Sequence, residues 1–263
     1  MLNISVNFIG NNNLYEIIKN SYLEESLSHS IIIHGEKGVG KFTLVRFLTI
    51  QIFNNFQDQL QTDSDLNHVN LINSKAHPNY ILIDKEIDAK SKKLRNYIVI
   101  EQIRKLESFI YKSSIYNHLP KIILIDNADQ LNKNAANALL KILEEPPKQT
   151  IFILVSSQPG TILDTIHSRC QSIYFPPIST EVLQERLQSY GADPVQALIM
   201  ARISGGNIRL SWELIQNSND LMEKMYLLLN ACFSCDPVIW NKCIHTIAQL
   251  KTKDIQQMEQ LFR

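Results

Sequence analysis

The chain has 263 residues, room for about two domains, and its 44% hydrophobic and 20% charged content excludes a disordered or fibrous protein. Its 26 basic and 26 acidic side chains balance, which excludes a strongly basic nucleic-acid coat while leaving room for a local basic patch. Cys170, Cys232, Cys235 and Cys243 leave the first 169 residues without a disulfide framework. Apolar runs reach about five residues, far short of the ~20 that span a bilayer. Residues 1–13 have neither the basic start nor the apolar stretch of a signal peptide. A soluble, cytoplasmic protein with no membrane partner is expected.

In chain order, Ile31-Ile32-Ile33 is the first apolar run and leads into His34-Gly35. Continuous β-branched runs, as opposed to alternating ones, suit strands buried on both faces of a parallel sheet. A helix is expected over 41–53, with Val45, Leu48 and Ile52 on one face. The stretch 54–73 shows no clear period, and its Asn, Gln and Asp content reads as a surface excursion. Further strands are expected at 80–83 ending at Asp84, 122–125 ending at Asp126, 151–155 and 173–175. Between them lie helical patterns at 100–111, with Ile103, Leu106 and Ile110, and at 132–145, with Ala135, Leu139 and Ile142. Pro146-Pro147 stops the latter. Residues 1–177 therefore read as one doubly wound α/β domain. Beyond Pro176-Pro177 the strands stop, and helices are expected over 181–190, 194–204 and 208–217, then 221–233 and 238–263. This divides the remainder into a small helical domain at 178–212 and a helical C-terminal piece at 213–263.

Gly35-Glu36-Lys37-Gly38-Val39-Gly40-Lys41-Phe42 follows a buried strand and opens a helix, the setting of a Walker A phosphate loop. Gly35, Gly38 and Gly40 would let backbone N–H groups converge on phosphate, and the helix N-terminus and Lys41 add positive potential. The plainer alternative is a glycine-rich turn with a solvated lysine. The next position should carry a Ser or Thr hydroxyl for Mg²⁺; here it is Phe42, which has no oxygen, and Thr43 is about 100° further round the helix. ATP or ADP can still bind weakly through the amides and Lys41, with the metal site impaired.

Asp126-Asn127-Ala128-Asp129 closes the 122–125 strand, where a Walker B aspartate would reach Mg²⁺. Active members of the larger ATPase class that this motif resembles place a glutamate directly after that aspartate to activate water, and Asn127 cannot serve as that base. Two defects, one in the metal site and one in the base, argue against useful ATP hydrolysis. Strand-end and capping chemistry is the plain alternative for Asp126 and Asp129. Asp84, followed by Lys85-Glu86, ranks below Asp126 as a site acid.

Residues 134–147, Asn-Ala-Ala-Asn-Ala-Leu-Leu-Lys-Ile-Leu-Glu-Glu-Pro-Pro, then Ser157-Gln158-Pro159 and Thr165-Ile166-His167-Ser168-Arg169-Cys170, resemble the signatures of bacterial clamp-loader subunits. Ala76-His77-Pro78 and Ile100-Glu101-Gln102-Ile103-Arg104 look like that family's intervening elements. The resemblance covers most of 31–177 and implies a P-loop AAA+ fold. It implies an α/β nucleotide-binding-like domain over 1–177, a helical lid over 178–212 and a shortened, collar-like helical domain over 213–263. Phe42 and Asn127 make it closer to the delta-prime type of DNA polymerase III subunit, a non-hydrolysing stator, than to the gamma/tau motor. The alternative is an active gamma/tau-type ATPase, and a free-standing phosphate-loop kinase is a third reading.

The resemblance further implies that Arg169 acts in trans, stabilising the γ-phosphate of a neighbouring ATPase subunit, with Ser168 orienting the loop and Cys170 packing. Its implied partners are gamma/tau and delta subunits and, through the complex, the sliding clamp and primer–template DNA. Arg209 sits where related ATPases carry a nucleotide-sensing arginine. Plainer readings make Arg169 a salt-bridge residue and Arg209 a solvated one. Many relatives hold zinc with four cysteines between the loop and the second strand; that stretch holds none here, so no zinc and no required cofactor are expected. Cys232-Phe233-Ser234-Cys235 reads as helix-end packing, His77 as a turn residue, and Lys90, Lys92, Lys93 and Arg95 as a solvated basic loop. Glu144 and Glu145, unfavourably placed at a helix C-terminus, hint at an intersubunit contact with a basic partner, with a solvated pair as the plain alternative.

Overall fold

A computed structural model describes residues 10–56, 63–88, 92–113 and 116–216. The helices expected over 221–233 and 238–263, the cysteines beyond Cys170, and Lys90 lie outside the described residues. The chain separates at Pro176–Pro177 into two compact units.

The first unit is built from helices α1 (Asn12–Leu23), α2 (Lys41–Phe53), α3 (Asp63–Asn73), α4 (Ile100–Ile110), α5 (Lys133–Glu144) and the single turn α6 (Asp164–His167). They surround strands β1 (Ser30–His34), β2 (Tyr80–Ile83), β3 (Lys121–Ile125), β4 (Thr150–Ser156) and β5 (Gln171–Tyr174). The five strands form one sheet in the order β2-β3-β4-β1-β5, and every pair is parallel. The expected α/β class with a parallel sheet is what the chain adopts.

The continuous apolar runs are explained by the pleat, which sends successive side chains to opposite faces. Ile31, Ile33, Ile122, Leu124, Ile153 and Val155 pack on one face with Leu44, Val45, Leu48 and Ile52 of α2. Ile32, Ile123, Ile125, Phe152 and Leu154 pack on the other with Ile103 and Leu106 of α4 and Ala135 and Leu139 of α5. Asn132 caps α5 by accepting the Ala135 N–H at 2.8 Å, as expected of an N-cap asparagine.

The reading of 54–73 as an excursion needs correction, because α3 occupies Asp63–Asn73. Its Ile72 is buried and Val69 packs beside it on the first face. Two inward apolar positions among polar neighbours are too few to show a period, and tertiary packing forms the helix. Likewise α1 was not legible as an element, although Ile18 is buried and Leu14, Tyr15 and Tyr22 pack around it on the same face.

The second unit holds α7 (Thr180–Ser189), α8 (Pro194–Ser204) and α9 (Ile208–Gln216) around Ile178, Leu183, Leu187, Ala197, Met200 and Leu214. Asp193 caps α8, accepting the Val195 N–H at 3.0 Å, with Pro194 at the first helical position. Gly206 has φ +85°, and a Cβ there would sit 2.3 Å from the Ile178 carbonyl oxygen. Among the described residues no helix is long and apolar enough to cross a membrane.

Candidate functional site

Parallel strands deliver their following loops to one end of a sheet, and open α/β sheets bind ligands there. The loop 35–40 leaves the carboxyl end of β1 and enters α2. Gly35 admits no side chain, since a Cβ would meet the Phe175 carbonyl oxygen at 2.3 Å. Gly38 and Gly40 have φ +90° and +107°, the region glycine enters without steric cost.

Lys41, the first residue of α2, is only 5% exposed. Its Nζ donates to the Gly35 carbonyl at 2.7 Å, the Glu36 carbonyl at 2.5 Å and Ser157 Oγ at 3.3 Å. An ammonium has three protons, so a phosphate arriving here must displace a protein acceptor. Burial pulls the Lys41 pKa down, against the opposing charges of Asp126, Asp129 and Glu36. Phe42 is half-buried against the first-face core, and Thr43 is exposed. Neither offers a hydroxyl at the metal position.

Asp126 follows β3, and the register Ile83↔Ile125 brings Asp84 alongside it. Burial first and the Asp84 charge second push the Asp126 carboxyl up to about 6. Asp126 Oδ1 accepts the Asn127 N–H at 3.0 Å. Asn127 takes a left-handed conformation, φ 55° and ψ 48°, which asparagine tolerates better than most residues, and its Nδ2 donates to Asp84 Oδ1 at 3.2 Å. Asp129 Oδ1 accepts both Ser156 Oγ and the Ser157 N–H at 3.0 Å, a structural tie between the β3 and β4 ends. Asp84 and Ser157 are therefore site residues that sequence reasoning ranked low or gave no role. The strand-end position of each was the available signal, and only the β2–β3–β4–β1 order makes them neighbours of Asp126 and Lys41.

Arg169 stands elsewhere. It lies just before β5, whose first residue Gln171 pairs with Ile31 near the amino end of β1, whereas the phosphate loop leaves the carboxyl end. A strand length of roughly 13 Å separates the two levels. Its Nη1 donates to the Thr165 carbonyl at 2.9 Å and to Ser168 Oγ at 3.4 Å, and its Nη2 to Glu144 Oε1 at 2.6 Å. Ser168 Oγ itself donates to the Thr165 carbonyl at 3.1 Å. Cys170 packs on the second-face core, and burial pushes its thiol up to about 11, so it is a poor nucleophile at neutral pH.

In the second unit Arg209 Nε pairs with Glu213 at 3.2 Å across one helical turn, with its side chain 67% exposed. A cavity of about 550 Å³ opens at the amino ends of β1 and β4, lined among others by Tyr22, His29, Pro146 and Pro147. It is at the opposite end of the sheet from the phosphate loop. Among the described residues no group of three or more His, Cys, Asp or Glu is arranged to hold a metal ion. His77 is a buried turn residue: its Nδ1 accepts the Asn79 N–H at 3.0 Å, and its Nε2 lies 2.9 Å from His68 Nδ1.

A family model described as "DNA polymerase III, delta subunit" matches residues 10–179. This chain belongs to that family. It is 32% identical over 202 residues to DNA polymerase III subunit delta' of Bacillus subtilis, covering 77% of this chain and 58% of the relative. It is 30% identical over 182 residues to subunit delta' of Pseudomonas aeruginosa, covering 68% and 53%. DNA polymerase III subunit gamma/tau of Mycoplasma pneumoniae is 27% identical over 227 residues, covering 84% and 32%. The chain spans a little over half the length of the two delta' relatives. The solved structure of the Thermotoga maritima RuvB Holliday junction branch migration motor superposes with a TM-score of 0.51 at 15% identity, covering 83% and 65%. That likeness concerns the fold, α/β P-loop AAA+. The chain is a delta-prime-like member of the clamp-loader family.

Proposed function

We propose that this chain is a non-hydrolysing stator subunit of a DNA polymerase III clamp loader. In this reading Arg169 serves the ATP site of a neighbouring gamma/tau-type subunit. With that subunit and a delta subunit, the chain helps to load the sliding clamp onto primed DNA in the cytoplasm. The observation that carries the reading is the placement of Arg169 and Lys41 at opposite ends of β1. An arginine there has no access to its own loop, yet it is free to meet a subunit docked on that end. A planar, permanently charged donor placed where negative charge develops is worth ~10³–10⁵ in phosphoryl transfer.

The chain's own loop supports the non-hydrolysing half of the proposal. Phe42 supplies core packing in place of a metal-binding hydroxyl, and Asn127 gives its amide to Asp84 in place of activating water. Gly35, Gly38, Gly40, Lys41 and Asp126 form a vestigial nucleotide site that holds ATP or ADP weakly, with neither nucleotide nor zinc required. Residues 178–212 act as the lid, with Arg209 its sensing arginine.

The similarity to gamma/tau subunits favours a second reading, an active motor. Steady-state ATP turnover by the full chain, alone and mixed with the same organism's gamma/tau and delta subunits, separates them. A stator is silent alone and stimulates the mixture; turnover by the isolated chain that tracks its concentration supports the motor.

A further inference from the structure

Glu144 is the last residue of α5, where a carboxylate opposes the helix dipole. It meets Arg169 Nη2 at 2.6 Å, with the two side chains 50% and 35% exposed. Ion pairs this exposed add little to stability, so the contact calls for another account. The other two acceptors on the guanidinium, the Thr165 carbonyl and Ser168 Oγ, belong to the arginine's own loop and both take Nη1. Glu144 is the acceptor from a separate element, and it takes Nη2.

We propose that Glu144 is a positioning residue that holds the Arg169 guanidinium oriented for a γ-phosphate bound by the adjoining ATPase subunit. The proposal rests on the trans reading of Arg169. Of the five guanidinium protons, two on Nη1 and one on Nη2 are engaged. The Nε–H and the second Nη2 proton have no partner among the described residues, and together they can meet phosphate oxygens bidentately. A side chain anchored in advance loses less rotamer freedom on docking and arrives in a narrower range of orientations. Exposure keeps the anchor weak enough for small adjustments as the subunits close.

The test uses the full chain assembled with its gamma/tau and delta subunits, comparing Glu144→Ala and Glu144→Gln in the Arg169 and Arg169→Ala backgrounds. Glu144→Ala lowers kcat for ATP by about tenfold, the lower end of what supporting partners contribute in other sites, and moves KM by less than about twofold. Glu144→Gln, which keeps an acceptor, recovers most of the loss. In the Arg169→Ala background Glu144→Ala has no further effect, since two residues acting as one unit are non-additive. An unchanged kcat, or a full loss persisting without Arg169, overturns the proposal. In the free chain, ¹⁵N-arginine NMR follows the Arg169 guanidinium signals, and signals unmoved by Glu144→Ala overturn the positioning contact while leaving the trans reading intact. Turnover unmoved by Arg169→Ala instead removes the trans reading, and this inference with it.

Discussion

Asn127 Nδ2 donates to Asp84 Oδ1 at 3.2 Å, so the amide standing where a catalytic glutamate is expected ties together the ends of β2 and β3. Its left-handed backbone, φ 55°, costs a residue such as glutamate about 1–2 kcal/mol. A carboxylate there would also face Asp84 and the partly buried Asp126. Asn127→Glu is therefore expected to lower stability in urea by about 1–2 kcal/mol at pH 7, and by less at pH 5, where Asp126, pushed up to about 6, takes up a proton. Equal stability of variant and parent at pH 7 would contradict this account of the site.

Two groups give the protein opposite pH dependences in one window. The Asp126 carboxyl is pushed up to about 6 by burial and by Asp84, so between pH 4 and 6 the folded state binds the extra proton and stability falls as pH rises. The His77 imidazole is held down to about 4 by burial and by His68. There the unfolded state binds the extra proton, and stability rises with pH from about 4 to 6.5. Asp126→Asn is expected to leave a stability that climbs with pH across this window, and to raise stability at pH 7 by on the order of 2 kcal/mol. His77→Asn is expected to reverse the slope. Urea melts at pH 4.5, 5.5 and 7 check both; parallel profiles for the two variants would contradict the assignment.

Phe42 packs half-buried on the core face that α2 shares with β1. Phe42→Thr gives up part of that burial, an expected cost of about 1–2 kcal/mol. The new hydroxyl stands where Mg²⁺ would be held. Titration calorimetry is expected to show tighter ATP binding than in the parent only when Mg²⁺ is present. Equal affinity with and without the metal would mean that the contacts of Lys41 with Gly35 and Glu36 hold the loop shut.

Much of the sheet was legible because buried parallel strands write continuous apolar runs, and 31–33, 122–125 and 151–155 lie within β1, β3 and β4. The one-sided apolar faces of α4 and α5 were equally plain. What stayed hidden is non-local. α3 keeps too few apolar positions to show a period. Asp84 gains importance only through the register that sets Ile83 against Ile125. Ser157 meets Lys41 across 116 positions of sequence, and Glu144 meets Arg169 across 25. The charge of Glu144 at a helix end was a visible anomaly, and its partner turned out to lie within the same chain.

The central claim is that Arg169 works on a neighbour's ATP. The most direct test is DNA- and clamp-stimulated ATP turnover by the same organism's gamma/tau and delta subunits, with parent or Arg169→Ala chain added and assembly checked by gel filtration. The account predicts that both chains assemble and that the variant loses most of the stimulation, up to ~10³-fold in the neighbour's turnover. Full stimulation by Arg169→Ala would contradict it, as would a variant that fails to assemble, which would make Arg169 an interface residue.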